Sequence, residues 1–457
     1  MDRPTITSSS GVTYPMRRRY APIIIFVAVL IVAVLASAGF LWLGKTKNKE
    51  KDKKAEVNAL TFYNWWVSPG ESAALSALVG VFTKKYPDTA VLPSSVVGGA
   101  GYSFLKIIKP LVTSGNPPDS FQMHAGYEGM PYYNAGLLDP VDDIWKSENL
   151  GQVIPSVVQD MTRFDGHYYS IPLDIHRANI IWYNKKLLLK YGIDPNSLTT
   201  WKDFFAACGK LRAQGVKYPI QIGETWTVAQ VFEQINAGEG IDFYQDWING
   251  KTVDPADPRL VSAIDTLKEY LSFVNPDNAS LTWNDAVKRI IDGQSAFNLM
   301  GDWANGEFAV AKKVYGVDYG WIPAPGTKDA YGLVIDNFQR PKNIQHPTNA
   351  DRWLETVASK EGQDTFNPLK GSIPARIDAD ISKYNAYQQS AIADFWKAKY
   401  MFPSVVHGSG APESFKIMLG NLVADFVTDK DVGKMASRMT TYIQQIGDQY
   451  SIKWSLK

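Results

Sequence analysis

Cysteine is almost absent from this sequence, in which Cys208 is the only one among 457 residues. A single cysteine excludes an internal disulfide, a cysteine-rich zinc cluster and a cysteine-ligated iron–sulfur centre. No cysteine lies near the N-terminus, which also excludes the lipid-modified cysteine that anchors many bacterial binding proteins. Cys208 falls on an apolar helix face, and we expect it to be a core residue.

Excess charge is missing as well, because the formal net charge is only +1. No large single-sign field results, and we expect no nucleic-acid partner. No histidine or acidic cluster has metal-ligand spacing, so neither a metal nor another cofactor is expected. Aromatic residues, in contrast, are abundant, with 14 Trp and 23 Tyr. Such side chains fill cores and also stack on the apolar face of sugars, and composition alone does not choose between these roles.

The first 57 residues differ from the rest. A tail over residues 1–20 precedes an uncharged apolar run over residues 21–43, which is long enough to span a bilayer as a helix. We expect a transmembrane anchor, although Ala36-Ser37-Ala38 leaves a cleaved signal open. Residues 44–57 form a charged linker. Lysines behind the run would place the body in the cytoplasm under the positive-inside rule, whereas the resemblance described below places it outside.

From Asn58 onward, short apolar strands alternate with amphipathic helices, which predicts an α/β fold. The pattern indicates strands over residues 60–66, 91–96 and 119–124, helices over residues 71–86 and 104–112, and a helix start at Thr200. Chain crossings between two lobes are expected near Ser170 and Ile335. Ligands collect at the carboxyl ends of strands in open sheets, where Trp66, Gln122 and His124 fall.

Several motifs occur in a family-like order and spacing. They are Trp65-Trp66 followed by Glu71, Phe121–Gly126, Ile175–Tyr183, Leu281–Trp283, Gly293–Ala304, Ser359–Ile373, Tyr384–Gln388 and Val406–Gly408. Through these segments the chain, from Asn58 to its C-terminus, resembles the family 1 solute-binding proteins of ABC sugar importers, the group that contains maltose-binding protein. The glucose- and mannose-binding members are the most similar in pattern.

This resemblance implies a periplasmic-binding-protein-like fold, in which two α/β lobes joined by a hinge close over a sugar. The first lobe would comprise residues 58–172 with 332–380, and the second residues 173–331 with 381–457. The implied function is extracellular binding of a monosaccharide such as glucose, mannose or galactose for delivery to ABC permease subunits. The chain would act as a monomer without enzymatic activity, attached to the cell membrane by a single N-terminal span.

Matching the glucose-binding pattern position by position gives nine expected sugar contacts. They are Trp66, Glu71, Gln122, His124, Trp283, Trp303, Asp336, Lys370 and His407. Carboxylates would accept hydrogen bonds from sugar hydroxyls, the lysine would donate, and tryptophans would supply stacking surface. His176 would serve either the site or the hinge. This sequence departs from the family pattern at Pro69–Ser72 and at Met401–Pro403.

Two other functions fit the same residues. A membrane-anchored glycoside hydrolase would need a pair of carboxylates, which Glu71 and Asp336 could provide, but no hydrolase motif surrounds either of them. A sugar-sensing ectodomain would share both fold and site, and would differ only in its partner.

Overall fold

The computed structural model describes residues 6–7, 13–14, 58–251 and 254–456. The expected anchor over residues 21–43 and the linker over residues 44–57 lie outside the described residues. None of the described helices combines the length and the apolar character that crossing a bilayer requires. Near the N-terminus, Ile6–Thr7 (β1) and Thr13–Tyr14 (β2) pair as a short antiparallel hairpin.

The compact body over residues 58–457 alternates strands and helices. Its strands are Ala59–Asn64 (β3), Ala90–Ser95 (β4), Ser120–His124 (β5), Arg163–Phe164 (β6), His167–Tyr168 (β7), Ser170–Pro172 (β8), Asp174–Arg177 (β9), Ile180–Asn184 (β10), Phe297–Leu299 (β11), Tyr319–Pro323 (β12), Ala330–Val334 (β13), Asp336–Gln339 (β14), Ile373–Pro374 (β15) and Tyr400–Pro403 (β16).

The α-helices of the described body are Pro69–Lys85 (α1), Tyr102–Thr113 (α2), Met130–Asn134 (α3), Asp142–Ser147 (α4), Leu150–Val153 (α5), Ser156–Met161 (α6), Lys185–Lys190 (α7), Trp201–Ala213 (α8), Glu224–Glu239 (α9), Ile241–Ile248 (α10), Pro258–Ser272 (α11), Trp283–Ile291 (α12), Ala304–Val310 (α13), Pro347–Ala358 (α14), Lys360–Lys370 (α15), Ala386–Lys397 (α16), Glu413–Asp429 (α17) and Val432–Gln445 (α18). Short 3₁₀ turns include Gly99–Gly101.

The first lobe is built on a five-stranded sheet with the order β4-β3-β5-β14-β8. Strands β4, β3 and β5 run parallel, and β14 pairs antiparallel with β5 and β8. Helices α1, α14 and α15 pack together beside this sheet. The central strand β5 is buried along its whole length, and its period-two alternation puts Gln122 and His124 on one face.

The second lobe contains a three-stranded antiparallel sheet with the order β11-β10-β12. Helices α8, α9, α11, α17 and α18 pack against one another around an apolar core. Cys208 on α8 is fully buried in this core, which confirms the sequence interpretation. Helix α8 begins as predicted, because the Thr200 side chain accepts a hydrogen bond from the Asp203 backbone N–H.

Two breaks in the backbone connect the lobes. Strands β8 and β9 are separated only by Leu173, and β13 and β14 only by Ile335. At the first break the chain passes from the first-lobe sheet into a separate connecting sheet with the order β15-β9-β13-β16, and at the second break it passes from that connecting sheet back into the first-lobe sheet. Both sheet changes fall near the predicted crossings at Ser170 and Ile335, and the residue ranges of the lobes stay a prediction. Paired crossings of this kind allow two lobes to rotate about a hinge.

Candidate functional site

A cleft of about 540 Å³, including its open mouth, lies between the two lobes. Its walls come from both lobes, since residues after β3 and β5 face the start of α9 and the start of α12. The lining residues are Trp65, Val67, Glu71, Val97, Gly98, Gly99, Ala100, His124, His176, Glu224, Trp226, Thr282, Trp283, Asn284, Trp303, Val334, Asp336, Lys370 and His407.

The structure brings seven of the nine predicted contacts to the cleft wall: Glu71, His124, Trp283, Trp303, Asp336, Lys370 and His407. The other two lie one layer deeper. The ring of Trp66 packs against Phe366 with centroids 4.7 Å apart, and its neighbour Trp65 faces the cleft instead. Gln122 is fully buried and donates from Nε2 to Asp336 Oδ1 at 3.0 Å. Gln122 is thus placed to orient a wall residue.

Asp336 lies at the centre of the polar floor, where β14 begins. Its register partner across the sheet is His124, and the His124 Nε2 atom is 3.6 Å from Asp336 Oδ1. Burial would raise the pKa of Asp336, but the hydrogen bond from His176 and the charges of His124 and Lys370 outweigh it and hold that pKa below its usual value. Asp336 is therefore an ionised hydrogen-bond acceptor inside a buried site.

His124 is oriented from behind by a buried ion pair. Its Nδ1 atom and its backbone nitrogen each lie 2.8 Å from Glu128 Oε2. The other Glu128 oxygen accepts from Lys416 Nζ at 2.7 Å, and this ammonium also donates to the Ala100 carbonyl. Burial raises the pKa of Glu128, but Lys416 and His124 together lower it to about 2. The carboxylate therefore stays charged and turns His124 Nε2 toward the cleft.

Lys370 and Glu71 form a second buried ion pair, with Nζ 2.9 Å from Oε1. Lys370 ends α15 and Glu71 lies in the first turn of α1, so each charge is complementary to the dipole of its helix. Burial lowers the pKa of Lys370, yet Glu71, Asp336 and Asp174 outweigh burial and raise it above its usual value. The ammonium is thus a permanent donor in the cleft.

His176 lies on β9 between three carboxylates. Its Nδ1 atom bonds Asp302, and its Nε2 atom is 3.2 Å from Asp174 and 3.5 Å from Asp336. Burial would lower the pKa of His176, but Asp174 and Asp302 raise it well above its usual value. Asp174, His176 and Asp336 are the one group in the described part of the chain that could ligate a metal. A metal needs a neutral imidazole, whereas these charges favour imidazolium.

Aromatic rings line the cleft beside its histidines. Trp303 packs on His407 with ring centroids 5.0 Å apart, and Trp226 lies 5.7 Å from the same histidine ring. Trp303 fits tightly because Gly301 has no side chain; a Cβ there would lie 2.3 Å from the indole. Trp283 starts α12 and contributes to the same side. Together these faces can cover the apolar side of a ring-shaped polar ligand.

The two lobes touch at the mouth of the cleft. Gly99, in the first-lobe 3₁₀ turn, lies against Trp226 of α9, and a Cβ at Gly99 would come within 2.6 Å of the indole ring. The Trp226 Nε1–H donates to Glu224, and the Gly99 backbone N–H also bonds this carboxylate. Glu224 has a left-handed backbone with φ 52°, a strained conformation for a residue with a side chain. Closure therefore depends on a glycine at position 99.

Gly99→Ala is expected to weaken ligand binding about 5- to 100-fold, because the added methyl overlaps Trp226 only when the lobes are closed. Gly80→Ala is the matched control, since a Cβ at Gly80 meets open space in α1. Isothermal calorimetry on both variants measures the difference. Equal affinities for the two variants would show that this contact does not limit closure.

Some cleft residues were not predicted from the sequence. Trp65 stood beside the predicted Trp66, and only the turn after β3, where the Trp66 N–H donates to Asn64 Oδ1 at 2.9 Å, decides which ring faces inward. Trp226 and Glu224 follow Gly223 at a helix start, which is a weak sequence feature shared by many helices. Val97 and the glycines after it belong to a loop whose sequence shows neither helical nor strand periodicity.

Comparison with known proteins places the chain in a family. The sequence model of the family of bacterial extracellular solute-binding proteins matches residues 66–364. An uncharacterized ABC transporter extracellular-binding protein of Pyrococcus horikoshii is 40% identical over 93% of this chain and 96% of its own length. A probable sugar-binding periplasmic protein of Rhizobium meliloti is 31% identical over 82% of this chain and 89% of its own length.

Solved structures share the fold. The bacterial solute receptor AcbH, reported to prefer β-D-galactopyranose, superposes with a TM-score of 0.75 at 19% identity, covering 85% of this chain and 99% of that chain. The two-lobe α/β architecture predicted from the sequence is thus confirmed. This chain belongs to the family of bacterial extracellular solute-binding proteins.

Proposed function

We propose that this protein binds a small sugar, a monosaccharide of the glucose, mannose or galactose type, and delivers it to an ABC importer. The observation that carries the proposal is the make-up of the cleft. Charged acceptors and donors, among them Asp336 and Lys370, line it together with the Trp303 ring. A pyranose has that combination of features, with hydroxyls around its rim and apolar C–H faces. The sugar-binding name of the Rhizobium meliloti relative supports the ligand class.

A buried polar site of this kind favours a ligand that satisfies every group in it, because each unsatisfied buried group costs about 1–3 kcal/mol. Ionised acceptors and ammonium donors form stronger hydrogen bonds than neutral groups do, which helps a sugar compete with water. The contact of Gly99 with Trp226 closes the mouth over the ligand. We infer that the enclosed space favours one sugar ring over a chain of rings.

Binding without chemical change is the function that the charge pairing supports. A glycosidase acid must be protonated near neutral pH, whereas Asp336 has a lowered pKa and Glu71 is paired with Lys370 at 2.9 Å. Asp336 is therefore held as an acceptor, and Glu71 is engaged by the Lys370 ammonium. The hydrolase alternative would require one of them to lose its cationic neighbours.

Titration of the protein with glucose, galactose, mannose, xylose, maltose and trehalose by calorimetry tests the ligand class. We expect a monosaccharide to bind tighter than either disaccharide and to be recovered unchanged. A disaccharide that binds far better than every monosaccharide would contradict the enclosed single-ring site. Sugar released from an oligosaccharide would contradict the binding function itself.

Trp303→Ala locates that binding event in the cleft. The variant removes an aromatic face, and we expect a loss of about 10- to 100-fold in affinity for the best sugar because aromatic burial carries a large apolar area. Trp396→Ala is the matched control, since Trp396 is 59% exposed on α16 and does not line the cleft. Equal affinity of the two variants would place the sugar elsewhere.

The proposed location is the outer face of the cell membrane. The apolar run over residues 21–43 would anchor the chain, and the charged residues 44–57 would tether the body. The extracellular description of the family supports the orientation with the cleft outside. Permease subunits would then receive the sugar from the closed, monomeric body.

A further inference from the structure

The cleft contains three histidines, and each presents its Nδ1 atom to a hydrogen-bond partner. Nδ1 of His124 faces Glu128 at 2.8 Å, and Nδ1 of His176 faces Asp302. Nδ1 of His407 faces the Ser404 hydroxyl at 2.8 Å. A neutral imidazole has one donor and one acceptor nitrogen, so the partner of Nδ1 decides what Nε2 can do. The Ser404 hydroxyl can either donate to His407 Nδ1 or accept from it. The next group bonded to Ser404 therefore decides which nitrogen of His407 carries the hydrogen.

That next group is Glu233, a fully buried carboxyl on α9. Its Oε2 atom accepts from the Ser404 hydroxyl at 2.8 Å. Its Oε1 atom faces the Tyr244 hydroxyl at 2.7 Å and the backbone N–H of Val405. Within the described residues no lysine, arginine or histidine pairs with Glu233. The cleft chemistry described above makes no use of this group.

The number of hydrogens available decides which group donates in the two hydrogen bonds that link Glu233, Ser404 and His407. Ser404 has one hydroxyl hydrogen, and it lies between a carboxylate oxygen and an imidazole nitrogen. Burial raises the pKa of Glu233, while the Tyr244 and Ser404 hydroxyls and the backbone N–H groups of Val405 and Val406 oppose that rise by donating to the carboxylate. In the ionised form that these donors stabilise, Glu233 Oε2 accepts the Ser404 hydrogen, and the Ser404 oxygen is left to accept from His407 Nδ1 and from the His407 backbone N–H at 3.2 Å. His407 Nδ1 must then carry a hydrogen.

We propose that Glu233, acting through Ser404, is a positioning residue that holds His407 in its Nδ1-protonated form, so that Nε2 accepts a hydrogen bond from the ligand. Within the described part of the chain, Nε2 has no hydrogen-bond partner, and His407 lines the cleft. Burial, with the charges of His124 and Lys416, lowers the pKa of His407 well below its usual value, which keeps the ring neutral. His407 is therefore an acceptor beside the donor Lys370. That the ligand is a sugar hydroxyl rests on the proposed function.

The NMR signals of the imidazole nitrogens show directly which nitrogen of His407 carries the hydrogen. The sequence has five histidines, so full-length protein labelled with ¹⁵N in histidine gives few signals, and His407→Gln assigns the one of interest. Long-range ¹H–¹⁵N correlation without ligand is expected to show hydrogen on Nδ1. In Glu233→Gln the amide nitrogen would donate to Ser404, whose hydrogen would turn to His407 Nδ1 and leave the hydrogen on Nε2. Glu239→Gln is the matched control, because Glu239 lies on the same helix and, among the described residues, accepts a hydrogen bond only from the Ser262 hydroxyl, at 2.7 Å.

With the hydrogen on Nε2, binding of the best sugar should weaken about 10- to 100-fold in Glu233→Gln, since the sugar hydroxyl can then only accept from His407 and its own hydrogen loses that acceptor. Hydrogen on Nε2 in the unmodified protein, or an unchanged ring in folded Glu233→Gln, would overturn the proposal. If that variant does not fold, Ser404→Ala is expected to give a mixture of both ring forms, and a single Nδ1-protonated form would overturn it. Because the spectra need no ligand, a failed sugar titration with the expected ring states would reject only the proposed function.

Discussion

Lys370→Met is expected to lower the free energy of unfolding by about 3–5 kcal/mol and to abolish measurable sugar binding. The ammonium is buried, and it pairs with Glu71 at 2.9 Å while its charge also stabilises Asp336 and Asp174. Removing one partner of a buried ion pair leaves the other charge uncompensated, which is the costly case. Urea unfolding measures the stability, and calorimetry measures the binding.

Two further variants separate charge from packing. Lys84→Met makes the same change on a lysine that is 82% exposed and lies 3.7 Å from Glu361, and we expect little effect. Glu71→Gln combined with Lys370→Met removes both charges and should recover part of the lost stability. A double variant less stable than Lys370→Met alone would show that packing, and not the uncompensated Glu71 charge, dominates.

Asp336→Asn is expected to weaken sugar binding by at least about 100-fold while the protein stays folded. The substitution keeps the shape of the side chain but removes the charge that makes Asp336 a strong acceptor, and hydrogen bonds to charged groups are worth about 1.5–3 kcal/mol each. It also places an amide donor beside Gln122 Nε2, which donates to Asp336, or beside His176 Nε2, which lies 3.5 Å from it. Calorimetry with the best sugar of the panel measures the loss.

Asp394→Asn is the control for this experiment. Asp394 pairs with Arg177 at 2.8 Å and does not line the cleft, so its substitution should leave sugar affinity unchanged. Thermal unfolding of both variants checks that each is folded. Full affinity in Asp336→Asn would contradict the assignment of this carboxylate to the ligand.

The alternation of strands and helices was readable from the sequence because it depends on local hydrophobic periodicity and on caps. The predicted strands over residues 60–66 and 119–124 correspond to β3 and β5, and the helix over residues 71–86 corresponds to α1. The crossing expected near Ile335 lies between β13 and β14, which belong to different sheets. Both strands are buried, and a break of one residue between them is too short for local periodicity to show.

Family-like motifs also predicted seven residues of the cleft wall, since a side chain at the end of a buried strand or at a helix end has few places to point. His124 at the end of β5 and Lys370 at the end of α15 are examples. Trp66 shows the limit of this reasoning. Beyond Asn64 the strand ends and period-two alternation no longer applies, so local pattern could not tell whether Trp65 or Trp66 faces the ligand.

By itself, then, the sequence determined the α/β class, the family pattern and the types of polar group available to a ligand. Only the tertiary structure decided how those groups pair. Glu71 meets Lys370 across 299 positions, and Gly99 meets Trp226 across the mouth of the cleft. Glu233 reaches His407 through Ser404, which is 171 positions away. Hydrogen bonds and ion pairs act over a few ångströms in space, and no local periodicity encodes which distant residues the fold brings within that range.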